Sequence, residues 1–334
     1  MIQFTDLFVQ VFVLVLMIFP GFLLAKAGLS NPLLGKGVSN IVLYVSQTAL
    51  LMSGFLYTPY NPEILGKMLA VLGLSVCAHL LFTLFGFLAF RRAPEGKRQV
   101  LVFATVFTNA GYMGIPLLTA VLGAEVAIYG SIYVFVFNVF VWSLGAYLYT
   151  GEKKYISVKK MIVNPATLSA LFGLVFFVLS AFGLNPFLLS FADGSVPYCV
   201  IAIARKLIDS LQATVAPLAM LIIGLRLAEV DFRHVFRDRW LYFYLAMAML
   251  LCPALIFGVC RLLGLFGLFA GEAEALDMVT SVLLLSAAAP AATATSMFAE
   301  KYEGDARYAG VLVSISSVLC LASMPLVSLL TLIP

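Results

Sequence analysis

Two stretches of this chain combine residue types that could hold a solute. They are Thr108-Asn109-Ala110-Gly111-Tyr112-Met113-Gly114-Ile115-Pro116 and Ser286-Ala287-Ala288-Ala289-Pro290-Ala291-Ala292-Thr293-Ala294-Thr295-Ser296. Both lie inside apolar runs long enough to read as membrane-crossing helices. An asparagine, two glycines and a proline within eight residues are poor material for an unbroken helix. In hydrocarbon each freed backbone group costs several kcal/mol, so irregular backbone persists there only beside a cavity or buried in protein. Asn109 is expected to cap a new half-helix at the bilayer centre, its side chain satisfying one freed N–H. Pro290 suits the first position of a matching half-helix, where no N–H is needed. Two half-helix N-termini would then face the midplane, each with unpaired N–H groups and about half a positive charge. That geometry suits a small anion, most simply a carboxylate. Charge-assisted hydrogen bonds contribute roughly 1.5–3 kcal/mol net, against several kcal/mol of desolvation per buried ion. Affinity of about micromolar to millimolar is expected. The first break offers Thr108, Asn109, Ala110 and Gly111 to such a ligand, and the second Pro290, Ala291 and Thr293.

The elements that must position these residues follow from composition. The chain has 334 residues, 63% hydrophobic and 11% charged, with mean hydropathy +1.08. A soluble domain carries roughly 25% charged residues, so this is a polytopic membrane protein with room for about ten spans of about 20 residues. The net charge of +4 reflects basic loops rather than a nucleic-acid surface. The five cysteines form no C-x-x-C pair and read as small hydrophobes.

Apolar runs place spans at about Phe4–Ala25, Gly37–Tyr57, Ile64–Phe90, Gln99–Leu122, Val126–Tyr149, Ile162–Phe182, Leu207–Leu227, Trp240–Phe266, Leu276–Ala299 and Arg307–Ile333. The fourth and ninth hold the breaks. Odd-numbered links carry sixteen of the twenty Lys and Arg residues, which predicts those links in the cytoplasm and both termini outside. A faint repeat relates Gly28-Leu29-Ser30-Asn31-Pro32 to Gly183-Leu184-Asn185-Pro186. Residues 1–150 form one five-span unit, 151–161 a cytoplasmic linker and 162–334 a second unit. Five spans is an odd number, so the halves insert with opposite topology. The predicted fold is therefore an all-α membrane protein of ten transmembrane helices in two inverted five-helix repeats. A matched pair of interrupted spans is the layout of secondary transporters. One break alone could reflect helix packing; two at corresponding places favour a site.

Other polar residues within spans are few. Asn138, Ser53, Gln212 and Thr214 each read first as interhelical hydrogen-bonding groups. His79 reads as a structural histidine. Glu125 and Glu300 read as solvated. Asp209 is the best candidate acid for proton coupling. No H-E-x-x-H or G-x-S-x-G motif is present, which argues against an intramembrane enzyme. No cofactor or metal site is expected.

At these residues the sequence resembles the auxin efflux carrier family, whose bacterial members include malate and malonate permeases. Met113-Gly114-Ile115-Pro116-Leu117-Leu118 is similar to the plant carriers' fourth-span motif, Asn164-Pro165-Ala166-Thr167-Leu168 to the opening of their sixth span, and Leu218–Leu227, with Gly224, to their seventh. Pro290 with Phe298-Ala299-Glu300-Lys301-Tyr302 is similar to their ninth. The resemblance implies broken fourth and ninth helices that cross, a scaffold of the first, second, sixth and seventh helices, and elevator-like motion. It assigns the family's crossing asparagine to Asn109, its fifth-span amide to Asn138 and its second-span serine to Ser53. Thr108 stands where the plant carriers have proline, Asn138 replaces glutamine, and the central loop shrinks to Gly151–Lys160. The expected cargo is therefore a small dicarboxylate rather than auxin.

The expected function is a secondary transporter of small organic anions, such as malate or malonate, in a bacterial cytoplasmic (inner) membrane. The alternatives are a passive anion channel or a sodium-coupled symporter of the same build. Expected partners are the carboxylate, membrane lipid and, in oligomeric form, a second copy of the chain; no nucleic acid is expected.

Overall fold

A computed structural model describes residues 9, 12–228, 237–267, 269 and 272–332. The predicted start of the first span at Phe4 and most of the basic link Glu229–Arg239 lie outside the described residues. The described chain is helical, and its one β-type pairing is an isolated antiparallel bridge between Thr108 and Ala291.

The helices in chain order are α1 (Phe12–Lys26), α2 (Leu33–Leu56), α3 (Pro62–Phe90), α4a (Glu95–Val106), α4b (Ile115–Leu122), α5 (Ala127–Thr150), α6 (Pro165–Ser180), α7 (Val196–Leu227), α8 (Arg239–Leu265), α9a (Ala273–Ala288), α9b (Ala294–Lys301) and α10 (Ala306–Ser328). Among the described residues, α2, α3, α5, α7 and α8 are each long and apolar enough to cross a membrane, and a sixth such unit is Ala306–Cys320 with Ala322–Thr331, bent by 55°. The chain is thus an integral membrane protein, helical throughout its described spans.

Local sequence explains where the helices begin. Asn31-Pro32, Asn61-Pro62 and Asn164-Pro165 each place a capping amide before a proline in the first turn. The asparagine oxygen accepts an orphan N–H, and the proline has none to leave unpaired. Ser195 caps α7 in the same way, with Pro197 behind it. That cap corrects the predicted seventh span, which begins at Val196 rather than near Leu207. Charged residues made the segment look like a link. Arg205 is accommodated by donating to the Phe187 carbonyl and lying over the Tyr57 ring.

Glycines set the closest helix contacts. A Cβ on Gly21 of α1 would run into the Leu221 carbonyl of α7, and one on Gly224 of α7 into the Ile18 carbonyl of α1. A Cβ on Gly173 of α6 would lie 2.9 Å from the Met52 carbonyl of α2. Small residues let these backbones touch. The residues around both chain breaks, with α5 and much of α10, form the buried core.

Candidate functional site

Both predicted breaks are present. After α4a the backbone turns extended at Phe107 (φ −107°, ψ 98°). It resumes as a π turn over Ala110–Gly114 that leads into α4b. After α9a it turns extended at Ala289 (φ −59°, ψ 150°) and resumes at Ala294. The two extended pieces pair with each other. Asn109 N–H donates to the Pro290 carbonyl at 2.7 Å, and Ala292 N–H to the Phe107 carbonyl at 2.9 Å. Thr108 Oγ1 donates to the Ser286 carbonyl at 2.7 Å, and Ala291 N–H donates to Ser316 Oγ of α10 at 3.1 Å. Backbone groups freed by each break are thus taken up largely by the other break and its neighbours, as a low-dielectric interior demands.

This pairing corrects three expectations. The Asn109 side chain does not cap the new half-helix: the residue sits at the N-cap position without a side-chain capping bond. Pro290 is not the first residue of the second half-helix. It lies in the extended piece, where its carbonyl matters and its missing N–H is harmless. The N–H groups of Asn109, Ala291 and Ala292 are already committed within the protein. The amides that open the first half-helix are those of Ala110, Gly111 and Tyr112, ahead of its first bond from Met113 N–H to the Asn109 carbonyl.

Beside the crossing lies a cavity of about 490 Å³. Its buried end is formed by Thr108, Asn109 and Asn138, each 4% exposed. Its mouth is formed by exposed Asn31, Leu33, Lys36 and Asn40. Gly111, Tyr112, Ala292, Thr293 and Ser296 line it between. Asn109 Nδ2 is buried and has no hydrogen-bond partner among the described residues. A buried amide N–H without a partner is costly and rare in native proteins; here it belongs to a residue at the end of a cavity.

The structure brings Thr108, Asn109, Gly111, Asn138 and Thr293 to this cavity. Ala110, Pro290 and Ala291 belong to the crossing but not to the cavity wall. Ser53 lies elsewhere. Its hydroxyl donates to the Gln212 side chain and to the Leu50 carbonyl. Asp209 is exposed and accepts from Gln212 Nε2 at 2.9 Å, away from the cavity. His79 is fully buried, with Nδ1 at 2.7 Å from the Ser75 carbonyl and its ring against Phe107, Tyr133 and Phe140. Glu300, expected to be solvated, is exposed and also pairs with Arg226.

The roles of two residues escaped the sequence reading. Gln47 of α2 is 5% exposed, lines the cavity and stands over Gly111, where any Cβ would meet its amide. An amide in an apolar span was the available signal. Asn164 donates to Asn138 Oδ1 at 3.0 Å, while Asn138 Nδ2 donates to the Val134 carbonyl at 2.8 Å. Those bonds fix the orientation of the Asn138 amide at the cavity. In sequence Asn164 stood out only as the first residue of the stretch that resembles the opening of the family's sixth span.

Three π turns border this space: Val42–Ser46 beside Gln47, Ala110–Gly114, and Val141–Gly145 next to Asn138. Such turns recur at functional sites because the extra residue redirects neighbouring side chains.

Comparison with known proteins points to membrane transport. The chain aligns with an uncharacterized transporter from Methanothermobacter thermautotrophicus at 24% identity over 330 residues, covering 96% of each chain. A family model described as membrane transport protein matches residues 6–160 and 154–328. With almost the full length matched, this chain belongs to the membrane transport protein family.

Proposed function

We propose that the protein is a secondary carrier of small organic anions, with carboxylates such as malate or malonate as cargo. The unpartnered Asn109 amide at the buried end of the cavity carries this reading. A carboxylate oxygen placed there would accept from Asn109 Nδ2, while the N–H groups that open the half-helix at Ala110–Tyr112 offer the favourable end of its dipole. Asn138, held by Asn164, supplies a second amide from α5. Gln47 reaches the site from α2. Glycine at 111 lets that side chain and the cargo approach the backbone.

The architecture that goes with this reading is ten spans in two inverted repeats. The contacts support it: α2 packs on α6, and α7 on α1, which is the exchange an inverted repeat requires. Each broken span also lies fourth in its half. In this arrangement α1, α2, α6 and α7 form the static body, and the crossing with α3, α5, α8 and α10 carries cargo past it by an elevator motion. In this reading the mouth of the cavity faces the cytoplasm of a bacterium, across its inner membrane, with both termini outside, which the bias of Lys and Arg toward the odd-numbered links supports.

Counterflow in proteoliposomes tests the reading. A carrier loaded with unlabelled malonate accumulates labelled malonate transiently against its gradient. A passive channel gives equilibration without overshoot, and that result would replace the carrier by the channel. Sodium dependence of the overshoot would identify a symporter.

A further inference from the structure

The cavity's described lining holds three fully charged residues, all toward its mouth: Lys36 on α2, Arg226 in the last turn of α7 and Glu300 near the end of α9b. Arg226 Nη1 donates to Glu300 Oε1 at 3.2 Å, with side chains 34% and 53% exposed. Exposed pairs of this kind are weak, because water competes for both partners. The contact is therefore easily exchanged. A guanidinium presents its donors as a planar fork that fits a carboxylate with two parallel bonds, and the recorded contact to Glu300 uses one nitrogen.

The buried end of the cavity offers only neutral donors. They can receive one carboxylate, but a second negative charge in a half-buried space needs a full counter-charge. Glu300 lies seven positions beyond Thr293, the residue before α9b, about 10 Å of helical rise. Paired with Glu300, Arg226 thus stands at the mouth. Ile222 and Ile223, a turn earlier on α7, line the same cavity. An arginine stem turning inward would run along that apolar wall, which suits its methylenes.

We propose that Arg226 sets the charge selectivity of the cavity. It holds Glu300 in this structure and exchanges that carboxylate for one on the cargo, so that a dicarboxylate is preferred over a monocarboxylate. The inference rests on the anion-carrier reading and adds to it a residue and a selectivity.

The test is equilibrium binding of labelled malonate to the purified full-length protein, with acetate as competitor. Arg226→Gln is expected to weaken malonate by at least about tenfold, the loss of one charged fork, while acetate changes by less than about twofold. Glu300→Gln is expected to tighten malonate about two- to fivefold, since the internal competitor is gone. A merely structural ion pair would weaken binding equally in both variants, and that result overturns the proposal. Unchanged malonate affinity in Arg226→Gln also overturns it. If Arg226→Gln does not elute as a single species, Arg226→Lys replaces it; the charge stays but the fork is lost, so a loss of about threefold is expected, and parent-like affinity overturns the proposal. Loss of malonate binding in Asn109→Ala together with normal binding in Arg226→Gln would leave the anion-carrier reading standing and remove only Arg226. A parent protein that binds neither anion would bring down both.

Discussion

The two chain breaks are alike in backbone and unlike in chemistry. Each interrupts an apolar helix, runs extended for a few residues and donates one N–H to the other. The first carries Asn109, a π turn and Gly111 against Gln47. The second carries proline and alanines, and its remaining N–H at Ala291 is satisfied from outside by Ser316. The backbone pattern is shared by the two breaks, whereas the buried amide without a partner belongs to the first alone. A backbone frame can thus be used twice and furnished differently each time.

The largest expected effect comes from separating those two roles. Asn109→Ala removes the unpartnered amide but keeps the backbone N–H that bonds to Pro290, so uptake should vanish while the protein still elutes as one species. Pro290→Ala keeps the carbonyl that receives this bond, and uptake should fall by no more than about threefold. Equal loss in the two variants would erase the distinction between the breaks.

Glycine substitutions sharpen the comparison next. A Cβ at Gly111 would run into the Gln47 amide, whereas one at Gly114 would meet Ala110 Cβ at an ordinary 3.4 Å. Gly111→Ala should cut uptake by about tenfold through the displaced amide, and Gly114→Ala should leave it near normal. Uptake measured on matched expression levels decides between them.

A smaller effect concerns how each break is held from its flanks. Thr108→Val leaves the Ser286 carbonyl without its donor, and Ser316→Ala leaves Ala291 N–H without its acceptor. Each should cost about 1–3 kcal/mol of stability, the range for stranding a buried polar group. Thermal melts should show similar drops, since here the halves play the same part. A drop confined to one variant would mean the two sides are held differently.

The smallest effect lies at the outer ends of the broken spans. Lys97 on α4a pairs with Asp238 at 2.5 Å, and Asp277 on α9a pairs with Arg261 at 2.7 Å. Burial works against ionisation of Asp238, but the Lys97 ammonium and the Trp240 N–H outweigh it and hold this carboxyl below the usual carboxylate range. A carboxyl depressed on folding stabilises fully above its unfolded value of about 3.9, and that contribution is lost as pH falls through the lower folded value. Asp238→Asn can still cap Trp240, so melts from about pH 6 down to about pH 3 should lose part of their acid sensitivity. An unchanged profile would remove Asp238 as a contributor.

The breaks were legible in sequence because glycine, asparagine and proline are conspicuous inside apolar runs. Asparagine before proline marks helix starts at Pro32, Pro62 and Pro165, whereas the apolar runs alone put those spans at Gly37, Ile64 and Ile162, and the same pair at Asn185-Pro186 opens no helix. What stayed hidden depended on contacts distant along the chain. The bond between Asn138 and Asn164, and the approach of Gln47 to Gly111, join separate helices. The same is true of Ser53, whose hydroxyl turns to Gln212 on α7. Local rules also mislead where partners are remote: Asn109 has the type and position of a capping residue, yet its side chain makes no capping bond, and its own N–H donates to Pro290 in a second break nearly two hundred residues away.

The reciprocal bonds between residues 107–109 and 290–292 are made by main-chain atoms. Their geometry is therefore largely indifferent to which side chains those positions display. Point changes around the junction could retune what such a protein accepts without requiring the junction itself to be reinvented, which makes the architecture a tolerant platform for diversification.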